Sequence, residues 1–200
     1  LKLMLTEVYA AEYPQVELLS LRFKRALQEG ETDLTRLDPY IMLYRRIEEY
    51  LSAQGDDERL AVMRRCFYFK VNEQLGRQEA PQDNWRYEVM KEFARAWGWN
   101  HDYLQTLDTR LQWKIHQVLE ERRSQVSALT QSYHSLSRFA RVQNMLARIN
   151  QRDLNILGRK LYAAFERKAG KVDIVNRGIS NDIWESHLSI HQLGGRDNGG

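Results

Sequence analysis

Cysteine is nearly absent. The 200 residues contain one, Cys66, which excludes an internal disulfide framework and any cysteine-rich zinc site and fits a reducing compartment. Long apolar runs are missing too: nothing approaches the roughly 18 residues of a membrane span, and the first residues lack a secretion-signal plan. The expectation is a soluble, cytoplasmic protein. Proline occurs three times and glycine eleven times, so little punctuates the chain and long helices are favoured. No sign of charge dominates, since 30 Lys plus Arg face 27 Asp plus Glu for a net of +3, well mixed. That bias does not by itself mark a nucleic-acid partner. What is present is 42% hydrophobic and 10% aromatic content, enough for one core and too apolar for wholesale disorder.

The apolar residues recur mostly at threes and fours, the helical period. A helix under way at Leu1, with Leu3, Met4, Leu5, Val8 and Tyr9, should end near Tyr13-Pro14 because proline disfavours helix in the residue before it. A second runs from Val16 to Glu29, with Gly30 as its stop. Asp38-Pro39 pairs a cap with proline at the first helical position and opens a helix to Gln54, closed by Gly55. Asp56 or Asp57 caps the next, Glu58 to Gly76, where Cys66-Phe67-Tyr68-Phe69 makes all sides apolar and predicts burial between helices. Trp85 to Trp97 follows, broken by Gly98-Trp99-Asn100. The longest candidate runs from Leu111 to Ile149 on a stripe of Leu111, Ile115, Val118, Arg122, Val126, Leu129, Tyr133, Leu136 and Ala140. We read it as the spine of a bundle, with an intermolecular coiled coil as the alternative.

A last helix from Asp153 stops at Gly170. Then Lys171-Val172-Asp173-Ile174-Val175-Asn176 alternates apolar and polar, and Leu188-Ser189-Ile190-His191-Gln192-Leu193 partly does so, the pattern of two short strands. The expected fold is therefore mainly α: a multi-helix bundle with a long central helix, plus one or two short β-strands at the C-terminal end. The expected domains are a helical one over 1–170 and the start of a truncated β-containing region over 171–200. A stripe already running at Leu1 and the glycine-rich tail from Gly194 suggest an excised segment of a longer chain.

Little chemistry is spelled out. His187 and His191 are four apart, but in a strand that offset spans roughly 13 Å and cannot chelate. His101, His116 and His134 are scattered, so no metal site is expected. Cys66 sits in an apolar stretch, where burial raises a thiol pKa and leaves it inert. No Walker-type glycine loop and no Asp-x-Asp pair is present, so a complete nucleotidyl-transfer site is not in this chain. Two basic clusters stand out: Arg64, Arg65 and Lys70 amid aromatics, and Arg159, Lys160, Arg167, Lys168 and Lys171. Each could bind phosphate, or simply form a solvated helix face. Arg64 to Lys70 could also stack bases, whereas Trp85, Trp97, Trp99 and Trp113 suit helix packing better than a ligand box.

Leu37-Asp38-Pro39-Tyr40, Arg64-Arg65-Cys66-Phe67-Tyr68-Phe69-Lys70-Val71, Trp97-Gly98-Trp99, Trp113-Lys114-Ile115, Ser132-Tyr133, Arg138-Phe139-Ala140-Arg141, Arg159-Lys160-Leu161-Tyr162-Ala163-Ala164-Phe165-Glu166 and Gly170-Lys171-Val172 occur in that order. In these words the chain closely resembles the bacterial class I adenylate cyclases over nearly its whole length. The resemblance implies a parent enzyme that turns ATP into cyclic AMP and pyrophosphate with Mg²⁺, by attack of the ribose 3′-hydroxyl on the α-phosphorus. It implies that catalysis lies in a preceding nucleotidyltransferase-like lobe, whose glycine-serine motif and paired aspartates do not occur here. This segment would then follow that lobe and lead to a C-terminal regulatory part, with both as partners. ATP would be the parent's ligand, and no metal and no nucleic acid would be bound in the segment itself. A helical lobe beside such a site can support or cap the nucleotide, and Arg65, Lys70, Arg159 and Lys160 are the candidate phosphate contacts. The alternatives are a purely structural or regulatory connector and, from another class, a helical nucleic-acid-binding module.

Overall fold

The structure is a computed structural model that describes residues 1–76 and 84–143 together with 152, 155, 156, 158 and 159. The elements are α1 (Lys2–Glu12), α2 (Leu19–Gln28), the one-turn α3 (Leu34–Leu37), α4 (Pro39–Gln54), α5 (Asp57–Val71), α6 (Trp85–Ala96), α7 (His101–Asp108), a 3₁₀ turn (Arg110–Gln112) and α8 (Ile115–Val142). Their ends follow local chemistry. The Asp38 carboxylate accepts from Tyr40 N at 2.8 Å and Ile41 N at 3.0 Å, Pro39 takes the first position, and Gly55 closes α4 at φ 65°. Asp56 caps α5 by accepting from Arg59 N, and Asn84 and Asn100 cap α6 and α7 in the same way.

At the centre lies α5, buried through Leu60, Val62, Met63, Phe67 and Tyr68. On one side α4 meets it with Ile41, Tyr44, Ile47 and Leu51, and α6 with Met90 and Ala94. Tyr44 stacks on Phe67 with ring centres 4.5 Å apart, and Phe93 and Trp97 close the cluster. On the other side runs α8, whose 28 residues span about 42 Å. Helix α1 lies along α8 in the most extensive pairing of the bundle, burying Met4 and Val8.

Several expectations need correction. The fold is all-helical: among the described residues there is no strand, and the stretches 171–176 and 188–193 lie outside them. Six alternating residues are a weak strand signal, because two strands without further partners are only marginally stable. The boundary expected at 170/171 also lies outside the described residues. Helix α5 stops at Val71, where Asn72 turns left-handed at φ 61°, so Leu75 reaches the core from a turn rather than from helical spacing. Helix α7, unnoticed beyond the Gly98 break, is started by Asn100. The spine begins at Ile115 and not at Leu111, which is exposed in the 3₁₀ turn. Its fully buried residues are Val118, Glu121, Ala128, Ser132 and Ala140, one residue out of phase with much of the expected stripe. Three of these, Ala128, Ser132 and Ala140, are small, and Ser132 lies at Arg59 of α5; the larger Val126, Leu129, Tyr133 and Leu136 are half-buried. Beyond α8 the chain returns, since a Cβ on Gly158 would lie 2.7 Å from the Tyr133 hydroxyl.

Candidate functional site

Four helices meet at a buried ion pair. Arg59 of α5 donates from Nη1 to Glu7 Oε2 of α1 at 2.7 Å and from Nε to Asp56 at 2.7 Å; Tyr50 of α4 donates to Glu7, and Ser132 of α8 lies at the same guanidinium. Arg59 and Glu7 side chains are only 7% and 3% exposed, so their charges require each other. Burial opposes ionisation of Asp56, yet the Arg59 N–H and guanidinium outweigh it and hold its carboxyl below the usual range.

Two turns along, Arg65 donates from Nε to Glu121 of α8 at 2.8 Å and also engages Tyr103. Burial lowers the Arg65 pKa, but these partners raise it overall. Its neighbour Arg64 donates to Glu48 of α4 and lies over the Trp97 ring. Behind it Tyr44 donates to Glu48 and accepts from Trp97 Nε1 at 2.7 Å; burial, then the Glu48 carboxylate, pushes its hydroxyl pKa up. Cys66 is pushed up as well, first by burial and then by Glu121, and stays a protonated thiol.

The C-terminal end of α5 differs. Lys70 is exposed, with its ammonium 5.2 Å from the centre of the Tyr40 ring in the first turn of α4. In the first turn of α6 the Arg86 guanidinium lies 5.2 Å from the Trp85 ring. All four side chains border one cleft of about 300 Å³ floored by Ile41, Phe67, Val71, Val89 and Met90. Two carboxylates also line it, but Asp38 caps α4 and Glu73 accepts from Asn84 Nδ2 at 3.0 Å. Among the described residues neither Lys70 nor Arg86 has a carboxylate within ion-pair distance.

Of the expected phosphate contacts, Arg65 and Lys70 border different clefts. Arg65 and Lys70 lie about 140° apart around α5, Arg65 in a separate cleft against α7 and α8. Arg159 is helical and exposed, and Lys160, Arg167, Lys168 and Lys171 lie outside the described residues, as do His187 and His191. Phe67 and Tyr68 are buried and cannot stack bases. Sequence reasoning missed Arg86 as a cleft cation; its one signal was the position beside Trp85 just after the Asn84 cap. His101, His116 and His134 are exposed on α7 and α8, and among the described residues no three His, Cys, Asp or Glu side chains gather as a metal set. Among them, too, no helix is long and apolar enough to cross a membrane.

Residues 1–176 match the family described as adenylate cyclase, class-I, second domain. The chain is 45% identical over 199 residues to the adenylate cyclase of Salmonella typhimurium, covering 99% of this chain and 23% of that protein. It is 44% identical over 190 residues to that of Escherichia coli and 41% over 192 residues to that of Proteus mirabilis, covering 95% of this chain and 22% of each relative. This chain thus spans less than a quarter of the length of these curated relatives. No solved structure matches it.

Proposed function

The chain belongs to the class-I adenylate cyclase family as its second-domain part, and from that premise we propose that it is the helical lobe supporting the nucleotide site of an enzyme that makes 3′,5′-cyclic AMP and pyrophosphate from ATP. The chemistry is assigned to a preceding lobe in the same cytoplasmic enzyme. We give no metal step to this domain: the two carboxylates at the cleft serve the fold, Asp38 by capping α4 and Glu73 by accepting from Asn84. The single observation that carries the supporting role is that Lys70, unlike Arg59 and Arg65, meets no described carboxylate and borders an open cleft. Such a cation can offset triphosphate charge that metal ions leave uncompensated. Arg159 and Lys160 remain candidates for the same task, while Arg65 acts by fastening α5 to α8. In the complete enzyme, Lys70→Met should raise the KM for ATP about tenfold with an unchanged unfolding midpoint. An unaltered KM would remove this role.

A second reading, a connector between the catalytic and C-terminal regulatory parts, draws on the Glu7–Arg59 junction that ties α1 to α8. It predicts that Ser132→Leu, which overfills the buried junction at Arg59, alters regulation while leaving basal KM alone.

A further inference from the structure

We propose that the cleft between α4, α5 and α6 is a nucleotide subsite that takes the planar base against the Tyr40 and Trp85 rings and one phosphate through Lys70 and Arg86; it rests on the reading above for its nucleotide. The cleft's volume of about 300 Å³ is at the small end of ligand pockets, and its floor is apolar, as a base requires. Each cation lies 5.2 Å from its ring centre, forming the layered cation and ring surface on which bases stack. Tyr40 is 47% exposed, so its ring is open to a ligand.

Charge limits what fits. Lys70 and Arg86 are set against Asp38 and Glu73, and the first N–H groups of α4 and α6 are already taken by Asp38 and Asn84. The site is close to neutral, with a modest positive bias from the two helix N-termini. It therefore suits one phosphate better than a chain of three, and recognition comes mainly from the base. Tyr40 and Trp85 are then the residues that select a nucleotide over bare polyphosphate, while Arg86 adds to the hold on the phosphate.

The test is calorimetric titration of the 200-residue chain with AMP, a nonhydrolysable ATP analogue and inorganic tripolyphosphate. Both nucleotides should bind with affinities within about threefold of each other, and tripolyphosphate at least tenfold more weakly. Arg86→Met and Tyr40→Ala, both at exposed positions, should each weaken the nucleotides five- to tenfold. Arg95→Met removes an exposed charge from the same helix outside the cleft and should change nothing. Absence of nucleotide binding, tripolyphosphate binding as tight as AMP, or an equal loss with Arg95→Met would each overturn the subsite. If Lys70→Met raises KM in the complete enzyme while Arg86→Met and Tyr40→Ala leave binding intact, the base subsite falls and the supporting role stands. If those two variants weaken AMP binding but Lys70→Met leaves KM unaltered, the subsite stands apart from catalysis.

Discussion

Along α5, cations of one sign end in two kinds of surroundings. Arg59 and Arg65 lie between helices, and each is matched by a carboxylate from another element, Glu7 of α1 and Glu121 of α8. Lys70, five residues past Arg65, ends on a ring at the edge of a cleft beside Arg86, a second cation held the same way. Where water is excluded, a charge must bring its partner or stay out. Where water remains, it can wait for a ligand. Buried cations of this helix therefore report on assembly, and its exposed end is where the proposed binding can be tested.

The comparison breaks most visibly at Arg59. Arg59→Met strands Glu7 in the core and should cost about 3–5 kcal/mol in urea unfolding. The double variant Glu7→Leu with Arg59→Met should recover much of that loss, and failure to recover would show that the charges themselves are needed. A smaller effect concerns pH. The Tyr68 hydroxyl donates to Asp108 at 2.6 Å, and burial, then that carboxylate, raises its pKa. A group raised in the folded state contributes stability that is present below its unfolded value near 10 and lost as pH rises. Stability should thus fall as pH rises above about 10, and Tyr68→Phe should make that fall shallower while lowering the neutral value by about 1 kcal/mol. The smallest effect belongs to the cleft: Lys70→Met and Arg86→Met should each shift stability by less than about 0.5 kcal/mol. A large loss from either would place that cation with Arg59 rather than in the role proposed for the cleft.

Short-range signals were legible. Asp38-Pro39 and Gly55 bound α4 because a carboxylate on the nearest N–H groups and a left-handed glycine act within a few residues. The Leu75 position misled, since a residue at helical spacing can be delivered to the core by a turn, as happens after Asn72. The stripe of α8 misled for a related reason. Hydrophobicity marks Val126 and Leu129, but the positions that packing buries are the small Ala128 and Ser132. Of the candidate site, Lys70 was visible as a cation among aromatics, while Arg86 had only its place beside Trp85 after the Asn84 cap to mark it. Arg65 looked equivalent to Lys70 until Glu121, 56 residues away, was placed against it.

The amino-acid order alone determined that the described residues are mainly helical, where helices such as α1, α4 and α6 start and stop, and which family the chain belongs to, because caps, breakers and collinear words act locally or by comparison. Which arginines are neutralised, which lysine stays open, and that the first turns of α4 and α6 border one cleft were decided only by tertiary packing. A charge keeps or loses its reach according to what lies within a few ångströms of it, and that distance is set by helices far apart in the chain.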